Sequence, residues 1–585
     1  MDADASRPMS HKASIASGIP LREEPGLGAL SIAGYLREIT ARFGEREALV
    51  WRAENGVERW TYATLWERSL EVARALVACG VGKDSRVGIL MTNRPEHLAA
   101  AFGTALAGGV IVPLNTFSTQ PELAYLLEAS SVSLLLFERH IVKKDYAAVL
   151  GELEPSIQTA EPGLLLSSRF PFLRHLAMVD TTGESGEASA IERWPDFLRR
   201  GRSTPAALVE ARAATAMPAD VGALFFSSGT TSKPKGILHS QRAVAIQWWR
   251  WPRLMGVADD VRCWTGNGFF WSGNFSMVIG SAFSSGGTIV LQPTFDADAA
   301  LELMQAERVT MPFAWPHQWA KMEESPAWKT VDLGSLRYVD DSTPLARHPT
   351  VRTAWQLPPS YGTTETLTIN TSFASSTPAE IRGSSHGEPL PGNTLKIVDP
   401  VTGAVLSREM RGEIAVKGPT LMLGYLGVPR DETLDSDGFF HTGDGGYLDE
   451  AGRLFWEGRL TDIIKTGGAN VSPREIDEVL ASHPSVKLTS TVGVAHETLG
   501  EIVVSCIVPH EGAVIEEAAI RDYAKERLAS YKVPRRVLFL REDELAMTGS
   551  DKVKADALRK LAVERIGAAT ATATATTTTT VTRIT

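Results

Sequence analysis

"FFSSGTTSKPKGILHS", residues 225–240, decides how this chain is read. An apolar run, "ALFF", passes abruptly into hydroxyls, glycines and lysines around one proline. Gly229 and Gly236 let the backbone bend and approach an anion closely. Ser227, Ser228, Thr230, Thr231 and Ser232 offer hydroxyl donors. Lys233 and Lys235 supply point charges that suit phosphate, with Pro234 stiffening the chain between them. The stretch is not the familiar GxxxxGK phosphate loop, because Gly229 is followed by Thr-Thr-Ser-Lys-Pro-Lys. Ser, Thr, Gly and Pro also make ordinary solvated turns, so composition alone leaves both readings standing.

Upstream, apolar runs alternate between helical and strand periodicity. "RSLEVARALVACG" has helical spacing and stops at Gly80, and "RVGILM" follows as a short buried strand. "HLAAAFGTALAGG" is a second helix and "VIVPLN" a second strand. This alternation predicts a parallel sheet with helices on its faces. Residues 150–215 are rich in Pro, Ser, Gly and Thr and read as a surface insertion. Strand-like runs return at "GTIVL" and "TLKIVD". Downstream, "YLDEAGRLFWEGR" reads as a hairpin turning at Gly452. "VSPREIDEVLASH" opens a helix, with Ser472 as cap, Pro473 at the first position and Glu475 completing a capping box. The domain boundary falls near Arg459. The domains read as a flexible leader (1–27), a large domain (28–458), a small mobile domain (459–566) and a disordered Ala/Thr tail (567–585).

At 585 residues the chain is too long for one core. With 43% hydrophobic and 22% charged residues it is ordinary for a soluble globular protein. A net charge of −10 argues against nucleic-acid binding, so any polyanionic substrate must meet local positive charge. Cys79, Cys263 and Cys506 lie far apart, which offers neither a disulfide framework nor a zinc-type spacing and fits a reducing, cytoplasmic setting. No signal peptide and no membrane-spanning run is read. A homodimer is left open.

Further motifs follow in order: "YGTTE" at 361–365, "RGEIAVKGPTLMLGYLG" at 411–427, "DGFFHTGDGGYLDEAGRLFWEGRLTDIIKTGGANVSPREIDEVL" at 437–480, "LASYKVPRRVLFL" at 528–540 and "MTGSDKVKADALRK" at 547–560. With "SSGTTSKPKG" these closely resemble the signature motifs of the adenylate-forming (AMP-binding) superfamily, of the acyl-CoA synthetase type. The resemblance covers roughly residues 40–562. It implies an α/β fold: a large N-terminal domain with two mostly parallel sheets flanked by helices and a distorted β-barrel subdomain, then a small, mobile α+β C-terminal domain.

It also implies a two-step reaction using ATP, Mg²⁺ and CoA. A carboxylate attacks the α-phosphate of ATP, giving an acyl-adenylate and pyrophosphate; a thiol then displaces AMP. Two anions must meet in the first step, so positioning and electrostatic stabilisation dominate. By resemblance, residues 227–235 cradle the β- and γ-phosphates. Gly362 and Thr363 belong to the nucleotide site, Thr364 meets the α-phosphate, and Glu365 holds Mg²⁺. Tyr361 stacks on adenine, Asp444 takes the ribose hydroxyls, and Arg459 reaches the ribose or phosphate. Lys552 is the catalytic lysine, with Lys554 as runner-up. Gly467 and Gly468 leave room for the pantetheine arm of CoA. Read singly, each has a plainer role: a surface acid, a turn, a core tyrosine, a solvated lysine.

Some positions depart from the family pattern. Asp551 stands where glycine usually precedes the lysine. Thr461 occupies the hinge position usually held by Asp or Lys. "DDSTPL" at 340–345 replaces a glycine-rich segment beside the base, and Trp271 stands where a histidine is common. The acyl pocket is expected between residues 264–276, 311–319 and 338–369, which hold Trp264, Phe269, Phe270, Trp271, Phe313 and Trp315. Of these, Phe270, Trp271 and Phe313 are taken as its lining. Such aromatics imply a fatty, aryl or alicyclic acid, although core aromatics look the same. Competing readings are an enzyme loading a carrier protein in trans, a luciferase-like oxidative enzyme and a degenerate nucleotide binder.

Overall fold

The computed structural model describes residues 12–53, 56–180, 189–227, 234–460, 464–471, 473–510, 512–513, 515–544 and 557–567. The fold is α/β, as the motifs imply. An eight-stranded sheet runs in the order Ile191–Arg193, His175–Val179, Leu134–Glu138, Arg86–Leu90, Val110–Pro113, Val221–Ser227, Lys235–Ser240, Gly424–Tyr425. Its first six strands are parallel, and the last two pair antiparallel. A five-stranded sheet, Met311–Phe313, Arg262–Thr265, Thr288–Leu291, Glu47–Ala53, Gly56–Thr61, is parallel except for its closing hairpin.

The linking helices start where the sequence supplies caps. Thr61 caps Tyr62–Ala78, and Thr119 with Glu122 forms a capping box for Gln120–Ser130. Tyr62–Ala78 turns its apolar face into a large core in which Tyr35, Tyr62, Phe102, Trp248 and Phe275 are buried, while Gln120–Ser130 buries Leu123, Leu126 and Leu127 in a second cluster. A third, antiparallel sheet forms the half-barrel: Ile15–Ser17, Thr394–Val398, Gly412–Lys417, Phe440–Leu448, Leu454–Arg459. The hairpin read around Gly452 closes it. Beyond it, Ala469–Val471, Ile464–Thr466, Gly500–Pro509 and Val486–His496 form a separate sheet, with Arg536–Phe539 alongside. The helices Pro473–Ala481 and Glu517–Lys525 bury Ile476, Leu480, Ile520 and Ala524 against it.

Two sequence expectations change. Residues 12–27 are not a loose leader: Ile15–Ser17 is an edge strand of the half-barrel, and Glu24 pairs with Arg250 at 2.9 Å with both side chains essentially buried. Residues 150–215 are not simply an insertion. Their short strands His175–Val179 and Ile191–Arg193 extend the eight-stranded sheet, and Pro, Gly and Ser fill the connectors. Ser472 and the Ala/Thr tail from residue 568 lie outside the described residues.

Candidate active site

Ser227 pairs with Lys235 across two antiparallel neighbours. The residues between them therefore join the ends of adjacent strands. Of the phosphate-loop candidates, Ser228, Gly229, Thr230, Thr231, Ser232 and Lys233 lie outside the described residues, as do Thr461, Asp551, Lys552 and Lys554. The Lys235 ammonium lies 4.7 Å from the Tyr425 ring centroid, and the Tyr425 hydroxyl donates to Glu365 Oε1 at 2.8 Å. One tyrosine thus holds a cation against its ring and a carboxylate at its hydroxyl.

The "YGTTE" segment forms a tight loop. Gly362 has no room for a side chain, because a Cβ would fall 2.1 Å from the Thr368 carbonyl oxygen. Thr364–Thr366 is a single 3₁₀ turn, followed by Leu367 and Thr368 at φ 49° and 93°. A β-branched residue at positive φ is strained, and such strain persists where surrounding structure enforces it. Gln247, fully buried, supplies that enforcement. Its side-chain amide donates to the carbonyls of Thr366, Leu367 and Ile369 at 3.1, 2.8 and 2.8 Å.

Tyr361 and Asp444, read as the adenosine contacts, are brought together: the Tyr361 hydroxyl donates to Asp444 Oδ2 at 2.8 Å. Both are largely buried, Tyr361 within the half-barrel core with its ring 6.3 Å from Trp456. Arg459 stands directly opposite Asp444 in the strand pair; its side chain lies outside the described residues. The "DDSTPL" segment turns on itself. Asp340 accepts from the backbone N–H of Ser342 at 3.0 Å and of Leu357 at 2.6 Å. Burial would raise the Asp340 carboxyl, but the hydrogen bond from the Ser342 hydroxyl, with the two backbone ones, outweighs it and holds it below its ordinary value. That carboxylate serves its own loop.

The small C-terminal sheet presents its Gly467–Gly468 turn to the large domain. Both glycines are left-handed, at φ 55° and 82°, the geometry of a two-residue hairpin turn. Gly468 packs on the Trp315 indole so closely that a Cβ would lie 2.2 Å from its Cε3. Also between the two domains Trp271 meets Tyr531, with ring centroids 5.6 Å apart, and Phe270 packs on Trp271 at 5.3 Å. Phe270, Trp271, Ser227, Pro234, Glu122, Tyr531 and Lys532 line a cavity of about 40 Å³. Phe313 is not among them: it packs into the main core.

The motif analysis passed over the residues that hold the two domains together. Lys532 reaches Glu475 at 2.7 Å within its own domain and Glu122 at 3.3 Å in the large domain, with all three side chains largely buried. Glu122 also accepts from the Ala529 N–H at 2.9 Å. Burial alone would lower the Lys532 ammonium, but Tyr531, Glu475 and Glu122 outweigh it and hold it charged. Burial raises the Glu475 carboxyl, with Lys532 opposing. "LASYKVPRRVLFL" was visible as a motif, but nothing local in it marks a cross-domain partner some 400 positions upstream.

Residues 36–426 match the model of the AMP-binding enzyme, and residues 475–552 that of the AMP-binding enzyme C-terminal domain. An indoleacetate–CoA ligase of Aromatoleum aromaticum is 31% identical over 512 residues, covering 86% of this chain and 94% of that protein. A (methyl-dioxo-octahydroindenyl)propanoyl:CoA ligase of Mycobacterium tuberculosis is 31% identical over 517 residues, covering 86% of this chain and 94% of its own. Among solved structures, an o-succinylbenzoate CoA synthetase of Bacillus subtilis superposes with a TM-score of 0.66 at 26% identity, over 89% of this chain and 97% of that one. An amide bond synthetase of Marinactinospora thermotolerans gives 0.70 at 26% identity, over 90% and 99%. With both family models matched in chain order on a fold of this architecture, the chain belongs to the AMP-binding enzyme family, the adenylate-forming superfamily, and within it aligns with acid–CoA ligases.

Proposed function

We propose that this chain is an ATP-dependent acid–CoA ligase acting on an apolar aryl, alicyclic or fatty carboxylic acid. The observation that carries the reading is the small domain's contact with aromatics of the large one: the Gly467–Gly468 turn is seated on Trp315, and Tyr531 meets Trp271, on which Phe270 packs. The Trp315 indole fills the side-chain space of Gly468, so in this reading a thin thiol arm passes along the turn's backbone beside that contact to an acyl group held against aromatics.

In the first half-reaction the substrate carboxylate attacks the α-phosphate of ATP, forming the acyl–phosphate bond and releasing pyrophosphate. Ser227 and Lys235, with the loop between them, hold the leaving phosphates. Thr364 orients the α-phosphate, while Tyr361, Asp444 and Arg459 hold the adenosine. Glu365 fits a magnesium ligand: it is an oxygen donor held by a neutral hydroxyl, with no ion-pair partner among the described residues. Bound there, Mg²⁺ would supply charge neutralisation for the phosphates. Lys552 is assigned the positive charge between carboxylate and α-phosphate. In the second half-reaction the CoA thiol attacks the acyl carbonyl and AMP leaves. The docked arrangement, with Gly468 on Trp315 and Lys532 on Glu122, suits this second step.

The ring-bearing acids named for the relatives agree with the aromatic lining. The test is incubation with ATP, Mg²⁺, CoA and a panel of carboxylic acids, following AMP, pyrophosphate and acyl-CoA. Stoichiometric AMP and acyl-CoA with a ring-bearing or fatty acid is expected. Pyrophosphate exchange without acyl-CoA would point to a carrier-protein acceptor. No exchange with any acid would reduce the chain to a nucleotide binder.

A further inference from the structure

Away from the ATP and acyl site, three metal-ligating side chains converge from three separate elements. Cys79 ends the helix Tyr62–Ala78, His175 opens the strand His175–Val179, and Glu192 is the middle residue of Ile191–Arg193. The Cys79 sulfur, a His175 ring nitrogen and a Glu192 carboxylate oxygen all lie within 4.8 Å of one another. The two strands form the outer edge of the eight-stranded sheet, five and six strand spacings from Lys235–Ser240. At about 4.8 Å per spacing the nearer of them lies roughly 24 Å from that strand.

Two of these atoms are orphaned. His175 Nδ1 and Glu192 Oε1 are buried with no hydrogen-bond partner. They face each other at 3.9 Å, too far for a hydrogen bond, and the Glu192 side chain is only 7% exposed. Neither atom has a hydrogen bond, and their 3.9 Å contact is an ion pair only when His175 is protonated, so with a neutral imidazole both stay unsatisfied and a cation between them would satisfy both.

The surroundings hold the ligands in this pose. Arg200 Nε donates to the other Glu192 oxygen at 2.7 Å while its Nη2 donates to the Pro162 carbonyl at 3.3 Å, so Oε1 is left aimed at His175. The imidazole lies over Gly163, where a Cβ would come within 2.7 Å of the His175 Cε1 and where φ is +88°. Outer contacts of this kind orient ligands at metal sites.

We propose that Cys79, His175 and Glu192 form a binding site for a borderline divalent metal ion of the zinc class, with one coordination position left for water. Sulfur, nitrogen and oxygen donors together suit Zn²⁺, whereas a thiolate disfavours Mg²⁺. Tetrahedral zinc bonds of about 2.0–2.3 Å place ligand atoms about 3.3–3.7 Å apart, so the site contracts by about 1 Å on binding. The ion would tie the end of an early helix to the sheet edge formed about a hundred positions later. Cysteine spacing gave no sign of it, because each ligand is a different residue type on a different element.

The test uses the full chain, stripped with chelator and free of nucleotide. Titration with Co²⁺ is expected to give a thiolate-to-metal absorption band saturating at one ion per chain, and Zn²⁺ to displace it. Cys79→Ser is expected to abolish the band and His175→Gln to weaken binding at least tenfold. Cys79 is partly exposed whereas Cys263 and Cys506 are buried, so alkylation of the native protein reports on Cys79. Zn²⁺, and not Mg²⁺, is expected to slow it at least tenfold. Absence of the band, its survival in Cys79→Ser, or alkylation indifferent to Zn²⁺ would overturn the proposal. The alkylation readout needs no variant to fold.

Discussion

Gly468→Ala separates the two half-reactions. The substitution has two physical effects. At φ 82° a Cβ is strained by about 1–2 kcal/mol wherever the small domain sits, so this part lowers stability and not docking. The second effect exists only when the domains are docked: the new Cβ would lie 2.2 Å from Trp315 Cε3 and 2.4 Å from its Cζ3. Carbon atoms pack at about 3.5–4.0 Å, so the turn must retreat by more than about 1 Å. Overpacking of this kind costs about 1–3 kcal/mol, a reduction of about 5–150-fold in a step that needs the docked geometry. Acid-dependent pyrophosphate exchange should change by less than about threefold, while thioester formation from supplied acyl-adenylate and CoA falls by the full factor. Replacing Trp315 with alanine removes the obstacle, so Gly468→Ala should cost far less in a Trp315→Ala background. Gly467→Ala, strained in the same way, is the control for stability. The reasoning fails if exchange and thioester formation fall together, or if the cost of Gly468→Ala is the same with and without Trp315.

Other consequences can be measured singly. Glu24→Ala strands Arg250 with its side chain fully buried, and should lower unfolding free energy by about 3–5 kcal/mol in denaturant titration; a loss under 1 kcal/mol would mean the pair is dispensable. Asp477, pushed up to about 6 chiefly by burial, binds more protons folded than unfolded between its ordinary value near 3.8 and about 6. Stability should therefore decline as pH rises through that window, and Asp477→Asn should flatten the slope; an unchanged slope would reject the assignment. Glu365→Ala should slow adenylation about 100-fold and raise the Mg²⁺ concentration needed for half-maximal rate; an unshifted Mg²⁺ requirement would remove Glu365 from the metal site.

The residues whose meaning is local were legible in sequence. "YGTTE" was read as a contiguous motif by its resemblance, and the structure adds that its Gly362 must clear the Thr368 carbonyl. The alternating helices and strands upstream carried their own caps and periodicity, so the parallel sheet followed. Pairings across long separations were not legible. Glu24 looks like one more acid in a polar leader until Arg250 is folded onto it. Lys532 looks like a surface lysine until Glu475 and Glu122 close around it. Gln247 gave no signal at all, since a glutamine on a Trp-rich helix marks nothing until three carbonyls of the strained loop converge on its amide. Phe313, one of the aromatics expected at the pocket, is packed with the main core.

The most direct test of the two-step account is to divide its reaction at Lys552. Lys552→Ala should lose acid-dependent pyrophosphate exchange by at least about 100-fold and still convert supplied acyl-adenylate and CoA to the thioester at near wild-type rate. Normal exchange in Lys552→Ala, or loss of both half-reactions together, would contradict it.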